Sequence, residues 1–546
     1  MKLVFNYLLV FSTLLMMASC RDFKSRADLI IYNTTIYTVD SSETVAASIA
    51  IREGKILAVG TDAEVRSRYW SENNINAKGM FVYPGFIDAH SHFSGYAEYL
   101  RYADLTSAGS YEEVLSIIRE YHKRYPESWI VGRGWDQNKW PGRQFPESGR
   151  LDKLYPETPV VLTRIDGHAV LANRAALIKA GLNNIPQSEA IRRNGQPIGV
   201  YLEGTADILK AAIPKPSPDE MAQLLADAAT LCQAAGLTGV CDAGIDKDMI
   251  LLLDTLQKQG KLAIRIDAML NPTEDNLNYF FPGGVYETSF LRVGSIKIYA
   301  DGALGSRGAC LLKPYSDDPD NWGILVTPAS EMLELCNKAE DAGFQVCTHA
   351  IGDSAVRTVL KVYGEALEGK NDRRWRIEHA QVVNEDDFEL FAKYSVIPSI
   401  QATHATSDME WAGLRLGKTR LKNAYAYHRL LEQNGWIANG TDFPIEKINP
   451  LLTFYASVAR KDLNGNPKQG FQKENALSRK EALKSITAWA AKASFLEDQR
   501  GSLAVGNYAD IVILDRDILT IPEDQIPSTS IRYTICDGKI VYRTRR

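Results

Sequence analysis

The chain has no excess of positive charge. Its 62 lysines and arginines stand against 67 aspartates and glutamates, a formal net charge of −5. With no basic stripe either, it does not read as a nucleic-acid binder. It also lacks any Cys-x-x-Cys. Apart from Cys20, cysteines fall at Cys232, Cys241, Cys310, Cys336, Cys347 and Cys536, a scatter that gives neither a zinc knuckle nor a small disulfide scaffold. Cys241 and Cys347 lie in apolar, strand-like runs and read as buried free thiols. No Gly-x-Gly-x-x-Gly follows the first strong strand, which argues against dinucleotide binding. The apolar run from Leu3 to Met17 is short for a membrane span.

That run has another reading. Lys2 precedes it, and Ala18, Ser19 and Cys20 follow, then charged Arg21, Asp22, Lys24 and Arg26. A basic start, a short apolar core and small residues make an export signal. Met17-Ala-Ser-Cys20 resembles a bacterial lipobox, with Met17 where leucine is usual, so residues 1–20 read as signal peptide and lipobox, with Cys20 lipid-modified after cleavage. The expectation is an exported, envelope-facing lipoprotein. An ordinary cleaved signal or a retained anchor is the alternative.

The 546 residues, 45% apolar and 24% charged, suit a soluble enzyme with one large barrel-type domain and a smaller one. Short alternating runs near both ends, with turns at Glu53-Gly54 and Asp537-Gly538, predict a small β-sandwich built from residues 28–79 and 500–546. Between them strand-like and helix-like segments alternate. Eight candidate strands (80–87, 239–242, 263–269, 293–300, 344–349, 375–379, 396–401 and 436–439) predict an α/β fold, a (β/α)8 TIM-type barrel over 80–490. An open doubly wound sheet is the alternative. The first connection is too long for one helix, so residues 95–235 are expected to form an inserted subdomain that could lie over the barrel mouth.

Active sites of such barrels sit at the C-terminal ends of the strands. The first strand ends in His90-Ser-His92, two imidazoles two residues apart and so on one side. The fifth ends at His349, the sixth at His379 and the eighth at Asp442, while the fourth carries Lys297. Four of the eight histidines thus gather at the mouth. Imidazole and carboxylate suit a first-row divalent metal. Taken singly, each has a simpler reading as a packing histidine or, for Asp442, a helix N-cap. Lys297, between Ile296 and Ile298, should face the barrel interior. Burial lowers a lysine's pKa, and a neutral amine can take up carbon dioxide as a carbamate. A salt bridge to Asp301 or another carboxylate is the other reading.

Pro84-Gly-Phe-Ile-Asp-Ala-His-Ser-His, Gly134-Trp-Asp, Asp301-Gly-Ala-Leu-Gly-Ser-Arg, His349-Ala-Ile-Gly-Asp, Arg376-Ile-Glu-His-Ala-Gln, Thr441-Asp-Phe-Pro and Gly501-Ser-Leu-Ala-Val-Gly-Asn-Tyr-Ala-Asp together resemble the amidohydrolase superfamily. Within it they are similar to the amidohydrolase-3 branch that includes N-substituted formamide deformylase. The resemblance runs from about Asp28 to the end of the chain. It implies metal ligands at His90, His92, Lys297, His349, His379 and Asp442.

The expectation is then hydrolysis of a non-peptide carbon–nitrogen bond in a small amide-type substrate by a metal-activated hydroxide. Two zinc ions are expected, one on His90, His92 and Asp442, the other on His349 and His379, with carboxylated Lys297 between them. Asp442 would move the proton, and His168 and Trp135 are candidates for substrate contact, with membership of a packed subdomain core the alternative for both. The superfamily's mononuclear deaminases usually carry a glutamate three residues after the fifth-strand ligand; Gly352 stands there instead. An ester or lactone hydrolase on the same metals, or a non-catalytic ligand-binding lipoprotein, are the rivals. The partners expected are a small molecule and, through the lipid, a membrane; the sequence leaves monomer and oligomer both open.

Overall fold

The computed structural model describes residues 24–124, 126, 129–165 and 169–544. The leader with Cys20, and His168, lie outside the described residues. Among those described, no helix is long and apolar enough to cross a membrane.

Eight parallel strands form one sheet in chain order: Phe86–Ser91, Leu237–Ile245, Arg265–Leu270, Leu291–Tyr299, Gln345–Ala350, Arg376–His379, Ile397–Ile400 and Ala438–Asn439. Helices separate most of them, among them Lys247–Lys258, Ala329–Asp341, Asp353–Leu367 and Tyr427–Asn434. Their apolar stripes cover the outer face. The strands are buried on both faces, hence their near-continuous apolar runs. The ring is nearly closed. Asp442 N donates to His90 O (2.8 Å) and His92 N to Phe443 O (2.9 Å), tying the segment after the eighth strand to the first.

Gly440 permits that approach, because a Cβ there would lie 2.4 Å from His90 N. Asp88 reinforces it. Its buried carboxylate accepts from Thr441 N (3.0 Å), Thr441 Oγ1 (2.7 Å) and His90 N (3.2 Å).

The expected strand 80–87 proves to be two elements. Phe81–Pro84 belongs to a six-stranded sheet, paired with Ile511–Leu514 on one side and Thr35–Tyr37 on the other. After Pro84-Gly85 the chain changes sheets and Phe86 opens the barrel. A four-stranded sheet of Lys55–Gly60, Ser48–Arg52, Leu29–Tyr32 and Asn74–Asn76 shares an apolar core with the six-stranded one. That core joins Ile31, Ile49 and Ile51 from the N-terminal strands to Ile511, Ile513 and Ile535 from the C-terminal ones. β-Branched residues pack well on pleated surfaces.

Both expected turns form. Glu53 and Gly54 have φ of 53° and 74°, Asp537 and Gly538 of 54° and 72°. Two successive left-handed residues match the twist of a hairpin. Arg265, which opens the third barrel strand, makes a buried two-point pair with Asp510 (2.6 and 3.0 Å), fastening barrel to sheet.

Residues Gly95–Ala228 form a separate compact unit. It holds a six-stranded sheet, Ala103–Asp104, Ile130–Trp135, Val160–Arg164, Ala169–Ala172, Gln196–Leu202 and Ala190–Arg193 in spatial order. Its core includes Leu105, Ile118, Trp135, Trp140 and Leu162.

Candidate metal centre

The strand ends converge. His90 and His92 turn their Nε2 atoms to one oxygen of Asp442, at 3.6 and 3.2 Å from Oδ1. The far nitrogen of each ring is anchored. His90 Nδ1 meets Glu378 Oε2 at 2.6 Å, and His92 Nδ1 meets the carbonyl of Ala243 at 3.0 Å. Both partners accept, so both Nδ1 atoms carry the hydrogen and both Nε2 lone pairs face Asp442. Ligating histidines are commonly fixed in this way, the outer ring nitrogen donating to a carboxylate or carbonyl.

Glu378 is itself held. Arg376 Nε donates to its Oε1 at 2.7 Å, and Arg376 Nη2 reaches Ala89 O at 2.7 Å. His90, Glu378 and Arg376 are completely buried. Burial alone would raise the Glu378 carboxyl, but Arg376 and His90 outweigh it and hold it well below the usual range. Burial and neighbouring Lys297 bring His90 down to about 4. Asp442 is likewise kept ionised: burial opposes ionisation, but the neighbouring rings of His92, His90 and His404 prevail.

The other expected residues stand close by. The His379 ring lies 5.0 Å from that of His90 and 4.6 Å from that of His349. Lys297, 1% exposed, puts Nζ 3.3 Å from His90 Nε2. Burial lowers its pKa, as the amine's position inside the barrel requires. The expected alternative partner, Asp301, is engaged elsewhere. Its carboxylate accepts from the backbone of Cys310, Ile351 and Gly352 and lies 3.5 Å from His349 Nε2. No helix starts at Asp442, so the N-cap reading is excluded. Asp442 and His379 both have left-handed backbones, φ 62° and 74°. Strain of that kind at non-glycine residues clusters at functional sites.

Four buried polar atoms here have no hydrogen-bond partner within the described chain: His349 Nε2, His379 Nδ1, His404 Nε2 and Asp442 Oδ1. Orphaned buried groups are costly. Gathered in one place, and all of them nitrogen or carboxylate donors, they fit a divalent cation. Two sets converge with ligand atoms within 4.8 Å of one another: His90, His92 and Asp442; and His379, His404 and Asp442.

His404 was not expected. It sits on the short helix Ala402–Ser407, past the end of the seventh strand, so a search restricted to strand ends passes over it. Glu378 was also missed, although it directly precedes His379. Its i, i+2 relation to Arg376 in a buried strand was the available signal. Trp135, a candidate for substrate contact, is instead a core residue. It is fully buried, its Nε1 donates to Leu162 O at 2.7 Å, and it packs on Trp140 and Phe145. At Gly352 a Cβ would lie 2.0 Å from the Cys310 carbonyl oxygen, so the backbone admits no glutamate there.

A parallel eight-stranded barrel with imidazoles and an aspartate converging at its C-terminal rim defines the class of metal-dependent hydrolases. Residues 74–542 match the model of the amidohydrolase family, and the chain belongs to that family. It is 31% identical over 520 residues to the putative amidohydrolase YtcJ of Bacillus subtilis, covering 93% of this chain and 98% of that one. It is 25% identical over 544 residues to N-substituted formamide deformylase of Arthrobacter pascens, with 94% and 98% covered. An uncharacterized metal-dependent hydrolase from Pyrococcus horikoshii OT3 superposes with a TM-score of 0.78 at 29% identity, over 91% of this chain and 99% of that one.

Proposed function

We propose that the protein hydrolyses a non-peptide carbon–nitrogen bond in a small amide-type molecule. The observation that carries this reading is the position of Asp442. One of its oxygens faces the Nε2 atoms of His90 and His92, at 3.6 and 3.2 Å, and the other faces His404 at 3.6 Å.

In this proposal His90, His92 and Asp442 would hold one divalent cation and His379 would help hold a second, with His349 and a carboxylated Lys297 the further ligands that the resemblance implies; zinc suits such donors. A cation bound there acidifies water and polarises a carbonyl oxygen. Asp442 then takes a proton from the attacking water and delivers it to the leaving nitrogen. The carbonyl carbon gains OH, the nitrogen gains H, and the bond between them breaks. An aspartate held ionised is a weak base, but it sits where the proton is released. The lowered pKa of buried Lys297 supports carbamate formation. The backbone contact at Gly352 speaks against the deaminase arrangement, and similarity to a deformylase supports amide-type chemistry.

The test is a panel of matched amides, carbamates and esters with metal-loaded protein. Turnover of amides over the matched esters, lost in Asp442→Asn by about 10²-fold or more, is the expected result. Turnover of esters alone, or of nothing in the panel, would overturn it.

The proposal extends to export and to lipid attachment at Cys20, supported by residues 1–26 of the sequence. Metabolic labelling with palmitate should mark the wild type and not Cys20→Ala. An unlabelled wild type contradicts it.

The two-sheet unit formed by both ends of the chain we read as the β-sandwich of the fold.

A further inference from the structure

The expected second cation position used His349, His379 and Lys297. The structure draws a different set together. We propose that His404, with His379 and the second oxygen of Asp442, forms the protein core of that position, so that a second cation is retained without Lys297. This rests on reading the barrel rim as a metal centre.

The spacing is the first argument. Two ligands bonded to one tetrahedral ion at about 2.0–2.1 Å stand roughly 3.4 Å apart. His404 Nε2 lies 3.6 Å from Asp442 Oδ2, long for a hydrogen bond and close to that separation. The same distance separates His90 Nε2 from Asp442 Oδ1 in the expected first set. Asp442 thus presents one oxygen to each set. The ring of His404 stacks on that of His379, with centroids 5.7 Å apart and planes 15° from parallel.

The second argument is the cost of the alternative. A buried histidine present only for packing usually satisfies its ring nitrogens. His404 is 9% exposed, yet its Nε2 has no hydrogen-bond partner within the described chain, and the same holds for His379 Nδ1.

The third is rigidity. The short helix bearing His404 is fixed at both ends. Ala402 N donates to Asn439 Oδ1 (3.2 Å), and Tyr427 OH to Gln401 O (3.0 Å). At the far end Asp408 N donates to His404 O (2.9 Å). Asp408 Oδ2 in turn accepts from Gln381 Nε2 (3.0 Å) and Tyr425 OH (2.9 Å). A ligand benefits from such preorganisation.

By contrast, His349 joins neither converging set, and its Nε2 points towards Asp301. Lys297 Nζ stands beside His90, in the first set.

Metal content measured on full-length protein, loaded with zinc and freed of excess, tests this. A parallel loading with cobalt reads ligand number from the visible spectrum. The wild type should hold two equivalents. His404→Ala should hold one, with the cobalt spectrum of one site lost. Lys297→Met should keep two. His404→Asp, which restores a ligand oxygen, should regain the second equivalent and controls for damage to the fold. His404→Ala keeping two equivalents, or Lys297→Met falling to one, would overturn the proposal. A wild type holding a single equivalent would also overturn it while leaving the first site standing. A wild type holding none would instead sink the metal-centre reading beneath it.

Discussion

The two ring nitrogens of His90 have separate roles. Nδ1 is bound to Glu378, which frees Nε2 to face Asp442. Removing the negative charge from Glu378 without changing its shape should loosen the ring and make its lone pair a poorer donor. Glu378→Gln is therefore expected to lower cation affinity about 10–100-fold. Competition against a chelator measures this, and unchanged affinity would mean that Glu378 serves only to neutralise Arg376.

His349 makes a second case at this scale. Burial and the nearby Lys297 hold its pKa down to about 3, against an ordinary value of 6.5. Between those values the unfolded chain binds a proton that the folded chain does not. Its contribution to stability is therefore whole above 6.5 and is lost as pH falls towards 3. The thermal midpoint of metal-stripped wild type should drop more steeply than that of His349→Asn between about pH 6.5 and pH 4.5. Parallel slopes would contradict this.

At the scale of elements, the first and eighth barrel strands bear the site between them. Their separation depends on Gly440, where a Cβ would sit 2.4 Å from His90 N. Gly440→Ala should push the strands apart, moving Asp442 away from His90 and His92. A displacement of that kind, near 1 Å, costs on the order of 10²-fold in kcat/KM. A variant with wild-type kcat/KM would show that the barrel closes without this contact.

The strands themselves were legible because each is a short apolar run between helical stripes. Observed and expected positions agree to within about three residues for all but the first. That run, 80–87, is continuous in apolarity, and nothing in it except Pro84-Gly85 marks the change of sheet. His404 escaped for a related reason. Barrel logic directs attention to strand ends, and His404 gains its place from a helix turned inwards after the seventh strand.

For the whole molecule, the chain's two ends are joined in one apolar core. The shared core of Ile31, Ile49, Ile51, Ile511 and Ile513 makes the C-terminal strands essential to the N-terminal ones. Ile511→Ala, fully buried, should cost about 2–5 kcal/mol. Chemical denaturation reads this, and a loss below about 1 kcal/mol would indicate that the sheets repack around the gap.

The pairing of the two ends was legible from hairpin signals such as Asp537-Gly538. The family was legible from motifs spread along the chain, each short and fixed by a backbone or ligand requirement. The interior of Gly95–Ala228 was not. Trp135 looked available to a substrate because aromatic residues serve both cores and binding surfaces, and sequence alone does not separate the two.

The central claim is that side chains distant in sequence form one cation-binding rim. Anomalous diffraction from crystals of the zinc-loaded protein tests it most directly. The account predicts a peak about 2.0–2.2 Å from His90 Nε2, His92 Nε2 and an oxygen of Asp442. Zinc peaks confined to other parts of the molecule, with none between these three side chains, would contradict it.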